Sequence, residues 1–93
     1  MRTDIEKETI DCYNFPNTDV LSEENLKKNR KRNIEKAMRL GNSLKHKVKI
    51  NFNVTNKPYS VSVKTTIWAV DEHFIFLKGA KIVPIKSIES IEI

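Results

Sequence analysis

A chain of 93 residues with a net charge of +5 and one cysteine has room for a single hydrophobic core and cannot form an internal disulfide. It contains neither an apolar leader nor an apolar run of the roughly 18–20 residues that cross a bilayer, which points to a cytoplasmic protein with no membrane partner. The basic character is local: residues 1–20 carry two basic and five acidic side chains, residues 21–49 ten and three, and residues 50–93 five and four.

Residues 1–21 show little apolar periodicity, and Asn14-Phe15-Pro16-Asn17 has turn chemistry, because Pro16 fixes its own φ and biases Phe15 away from helix. This stretch is expected to be a flexible acidic arm. Its carboxylates can fold back on the basic segment, and Tyr13 and Phe15 can anchor it locally. The remaining residues, 22–93, are expected to form one helix-plus-barrel domain.

Ser22 has the chemistry of a helix N-cap, Glu23 and Glu24 suit the positive end of the helix dipole, and Gly41-Asn42 supplies a stop. On a helical wheel Leu26, Ile34, Ala37, Met38, Leu40 and Gly41 fall on one broad side, the expected packing stripe. Lys28, Arg32, Lys36 and Arg39 line the opposite side and extend over ~17 Å at 1.5 Å per residue. Arg30 sits inside the apolar arc, so it either snorkels past a sheet edge or marks where packing ends.

Beyond the helix the period changes to two. Val48, Ile50, Phe52 and Val54 alternate with polar residues, Thr55–Pro58 turns the chain, and a second alternation runs from Tyr59 through Val61, Val63, Thr65 and Ile67 to Ala69. At about 12 residues this second run is twice the modal strand length, and Trp68 and Val70 put apolar groups on its other face. It is expected to bend and serve two parts of a barrel. Asp71-Glu72 turns into His73–Leu77, an apolar run expected to be buried on both faces, and Gly79-Ala80 turns into Lys81–Ile85. Pro84 needs an edge or an end. Lys86-Ser87-Ile88 has the spacing of a single helical turn, and Glu89–Ile93 alternates as a last strand. Val48, Ile50, Phe52, Val61, Val63, Ile67, Phe76 and Ile85 are the expected core, with Lys47, Lys49 and Asn51 outside it.

These elements predict an α+β fold in which an N-terminal amphipathic basic helix precedes a five-stranded antiparallel SH3-like or Sm-like barrel. The segments Ala37–Asn42, Val48–Phe52, Thr65–Ala69, Leu77-Lys78-Gly79 and Val83-Pro84-Ile85 resemble a group of small uncharacterised proteins of Bacteroidetes, over about residues 30–93. That resemblance implies a bacterial cytoplasmic protein and carries no activity, ligand or catalytic residue. The likeness to Sm-like barrels rests on element order, which does not license function.

No catalytic constellation is present in the sequence, and neither enzyme activity nor a cofactor is expected. His46 lies among lysines, and the adjacent Asp71, Glu72 and His73 cannot all face one ion, so a solvated turn is the simpler reading. The two glycines provide no phosphate loop. The strongest signal is the basic stripe of Lys28, Arg32, Lys36 and Arg39, prolonged by Lys45 and Lys47, which suits the backbone of RNA or DNA. A merely solvated basic face weighs equally against it. Trp68 is the candidate interaction residue, either covered by the helix stripe or exposed as a base-stacking platform or oligomer contact, whereas Tyr59 and Phe74 are expected in the core. The alternative function is a protein-interaction or self-assembling module, a homo-oligomer or a partner to another protein.

Overall fold

The computed structural model describes residues 2–55, 57 and 59–93. Alternation of apolar residues fixes most of its elements. Strand β1 (Arg2–Ile5) and a 3-10 turn (Lys7–Cys12) come first, followed by helix α1 (Glu24–Leu44) and strands β2 (Val48–Phe52), β3 (Ser60–Thr65) and β4 (Ile67–Val70). Strands β5 (Phe74–Leu77) and β6 (Lys81–Pro84), a second 3-10 turn (Ile85–Ser87) and β7 (Ile88–Glu92) complete the chain. One sheet has the order β1-β3-β2-β7, with β1 parallel to β3 and the other pairs antiparallel. The other is an antiparallel sheet of order β4-β5-β6.

The class is therefore α+β, but the expected five-stranded closed barrel with an N-terminal helix is not what forms. A strand and a 3-10 turn precede the helix, and the strands divide four and three between two sheets that do not close. The physical reason lies at two corners. The long second alternation bends at Thr66, so that β3 belongs to one sheet and β4 to the other, as its length and change of apolar face predicted. The second 3-10 turn then carries the chain from β6 to β7 without pairing the two strands. The turn read at Thr55–Pro58 falls in part on Asn56 and Pro58, which lie outside the described residues.

The inner faces of both sheets and one seam of α1 share a single core that includes Ile34, Ala37, Val48, Ile50, Phe52, Val61, Val63, Ile67, Ile75, Val83 and Ile88. Phe76 and Ile85, expected in the core, are only half-buried. Asn51, expected outside, is fully buried, yet the register of β2 is kept. Asn51 stands opposite Ser62 and Ser90 on the face away from Ile50, and its amide donates to the Ser90 hydroxyl (2.9 Å) and the Glu92 carboxylate (2.7 Å) while its carbonyl accepts from Ser62. Satisfying both ends of the amide across three strands removes the cost of burying it.

Residues 2–21 are packed onto this core. Ile10 is buried, the Phe15 ring lies 5.6 Å from that of Phe52, and the Val20 N–H donates to the Lys86 carbonyl at 2.9 Å. Asp19 folds back on the basic segment and grips Arg30 with both oxygens, at 2.8 and 2.7 Å.

Helix α1 starts and ends later than its sequence signals suggest. Glu23 takes the N-cap backbone position with no side-chain cap, in place of Ser22, and Lys45 ends the helix in the left-handed region (φ 54°), donating its N–H to the Gly41 carbonyl at 3.0 Å. The buried seam is Arg30, Ile34, Ala37 and Gly41, at steps of four, three and four, while Leu26 is 46% exposed. Gly41 is not a stop. A Cβ built on it would stand 2.5 Å from the Ile67 carbonyl oxygen and 2.7 Å from the Thr66 methyl, so the glycine lets α1 close on the free edge of β4. Gly41→Ala should therefore destabilise by about 1–3 kcal/mol in urea unfolding, because overpacking against a backbone oxygen outweighs the ~1 kcal/mol that alanine gains in helix propensity.

Candidate nucleic-acid interface

The stripe read from the sequence is a surface. Lys28, Arg32, Lys36 and Arg39 are all exposed on one side of α1, Lys45 is exposed at its C-cap, and Lys47 is exposed just before β2. None of the six takes part in an ion pair among the described residues. Lys31 and His46, also exposed, add to the same region. Arg30 behaves differently: its side chain is only 6% exposed, it forms the bidentate pair with Asp19, and it donates to the Ile88 carbonyl at 3.0 Å. It does not snorkel: it ties α1 to β7 and is the first buried residue of the helix seam, so it marks where the packing ends.

Most acidic side chains of residues 2–20 are engaged away from the stripe, whereas Glu35 of α1 lies half-buried in the groove that Arg39 also lines. Of the five carboxylates in residues 1–20, Asp4 pairs with Lys49, Glu8 with Lys7, Asp11 with Lys81 and Asp19 with Arg30. Glu89 and Glu92 pair with Arg2. On the helix, Glu24 lies 3.7 Å from Lys27, which is not one of the six. Hydrogen bonds from Arg30, with help from the Leu21 N–H, hold the Asp19 carboxyl below its ordinary range.

A groove of about 760 Å³ runs beside α1, floored by Ile34, Met38, Val70 and Ile85. Its lining carries both signs, with Lys31 and Arg39 together with Glu35, Asp71 and Glu72, so it meets the stripe at Arg39. Asp71 serves the turn itself: its carboxylate accepts the N–H groups of His73 (2.8 Å) and Phe74 (2.7 Å), and these two bonds lower its pKa. Among the described residues no group of His, Cys, Asp and Glu is arranged to hold a metal, and no helix is long and apolar enough to cross a membrane.

Trp68 is 55% exposed, not covered by the helix. The pairing explains it. Ile67 lies opposite Leu77 and Ala69 opposite Phe76, so Trp68 is the extra residue of a β-bulge that turns its ring outward beside Ala69. Phe74, expected in the core, is exposed on the same face, as is Ile82 of β6, which faces Phe76 across the strand pair. The continuous apolar run His73–Leu77 concealed this arrangement. Only the partner register shows that Phe74 and Phe76 point away from Ile75 and Leu77. No family model matches the chain, and no curated protein or solved structure matches it.

Proposed function

We propose that this chain is a cytoplasmic, non-catalytic nucleic-acid-binding module that holds the phosphate backbone on the outer side of α1, with Lys28, Arg32, Lys36 and Arg39 as the main contacts and Lys45 and Lys47 extending them. The observation that carries the reading is the segregation of charge: among the described residues six exposed cations have no ion-pair partner, while most carboxylates of residues 2–21 are engaged elsewhere. A face built for solvation alone would be expected to intersperse both signs, whereas a polyanion favours such a stripe through Coulomb attraction and counterion release. The self-assembling alternative draws support from a separate place, the exposed apolar residues of β4, β5 and β6.

Replacing Lys28, Arg32 and Lys36 together by Glu should weaken binding to unrelated oligonucleotides by tenfold or more, because phosphate contacts carry no base information. Stability in urea should change by only about 0.5 kcal/mol per site, since all three side chains are exposed. Full affinity in the folded variant would reject the proposal.

A further inference from the structure

Every outward-facing position of the β4-β5-β6 sheet is apolar. These positions are Trp68 and Ala69 on β4, Phe74 and Phe76 on β5, and Ile82 and Pro84 on β6. Trp68, Ala69, Phe74 and Ile82 are exposed, and Phe76 and Pro84 are half-buried. The registers bring them into rows, Ala69 beside Phe76 beside Ile82, and Phe74 beside Pro84, with Trp68 added by the bulge. A contiguous exposed apolar patch of this kind on a small chain marks a contact surface.

Charge around the patch selects its occupant. No residue on the face is charged, but the end that carries Trp68 is bordered by cations. Gly41 of α1 packs against the backbone of Ile67, one residue from Trp68, which brings the C-terminal end of the basic helix, with Lys45, to this end of the sheet, while Arg39 lines the groove with Val70, Asp71 and Glu72. Lys78 donates its backbone N–H to Thr66 at 3.1 Å and so closes the same end, while Asp71 and Glu72 follow β4 at the other end, where Arg39 and Lys86 line hollows with them. An uncharged aromatic surface continuous with a cationic one matches a ligand that has both planar apolar groups and a phosphate chain. A duplex presents only its phosphates, because its base faces are stacked within it. A single strand presents both.

Building on the nucleic-acid reading above, we infer that the ligand is single-stranded and that its unpaired bases stack on the outer face of β4-β5-β6, led by Trp68, while its phosphates follow α1. With no hydrogen-bonding side chain on this face, base selection is weak, since every base offers a π-face.

The chain has one tryptophan, so its emission reports on this face alone. The experiment titrates the protein with a short labelled oligothymidine and with a mixed-sequence duplex of equal length, following anisotropy and tryptophan fluorescence. The single strand should bind more tightly than the duplex and quench Trp68. Trp68→Ala and Phe74→Ala should each weaken oligothymidine binding by about tenfold, at an unchanged melting temperature and with the duplex affinity unaltered. Equal affinity for both probes with no quenching would overturn the stacking surface and leave the phosphate stripe standing, whereas failure of both probes to bind would remove both. Sedimentation of a dimer that Trp68→Ala dissociates, with oligothymidine affinity unchanged, would assign the face to a second copy of the chain and overturn the inference.

Discussion

Truncation of Phe52 to alanine should cost about 3–5 kcal/mol. The ring is fully buried, it is the largest of the enclosed side chains, and Phe15 packs against it at a centroid distance of 5.6 Å. Its loss removes apolar burial from β2 and opens a cavity that two sheets and the N-terminal segment cannot fill together. A chain of 93 residues has a total stability of only roughly 5–14 kcal/mol at 0.05–0.15 kcal/mol per residue, so the variant should lie near its unfolding threshold. Its melting temperature should fall by about 15 °C or more. A shift of only a few degrees would mean that β2 does not face the core in this register.

Breaking the Arg30–Asp19 pair should have the next largest effect. Arg30→Ala leaves the Ile88 carbonyl without its side-chain donor and strands a carboxylate that is only 21% exposed. Removing one partner of a buried pair costs about 3–5 kcal/mol, and water access to Asp19 places this case toward the lower figure. Replacing both residues by apolar ones of similar size, Arg30→Met with Asp19→Leu, should recover most of the loss, because the desolvation of two charges disappears along with their attraction. The pair also makes stability depend on pH. Arg30 lowers the folded-state pKa of Asp19 below its ordinary value of 3.8, so the unfolded chain takes up the proton first as the pH falls. The contribution is complete above that ordinary value and is lost as the pH drops through the lower, folded-state pKa. Acid titration of wild type against Asp19→Asn should show a stability difference that is constant near neutrality and shrinks below about pH 4. A difference that does not change with pH would contradict the ion pair.

The contrast between Arg30 and Lys28 shows what a sequence can and cannot disclose. Amphipathic spacing identifies the exposed cations, alternation identifies β2, the bent run of β3 and β4 and most of β7, and helical spacing identifies the short 3-10 turn, because these patterns are local. Strand β1 has no signature in the sequence, since its four residues pair in parallel with β3, far along the chain, and no local period marks such a partner. Ile10 and Asp19 gain their roles only when that segment is in place. Arg30 interrupts an apolar stripe, and nothing nearby in sequence reveals that a carboxylate eleven residues earlier will neutralise it in the core. Gly41 was legible as a glycine at a helix end, but the carbonyl it makes room for belongs to another element. The outward turn of Trp68 depends on a bulge, which is a property of two strands and not of one.

The most direct measurement of the central claim is the dependence of oligonucleotide affinity on salt. If the six cations on and beyond α1 neutralise phosphates of a single strand, the logarithm of the binding constant should fall with the logarithm of salt concentration with a slope of roughly −4, from about −0.7 per contact. Replacing Lys28, Arg32 and Lys36 by alanine should reduce that slope by about 2 units. An affinity indifferent to salt, or a slope that the three substitutions leave unchanged, would contradict the account and move binding away from this helix.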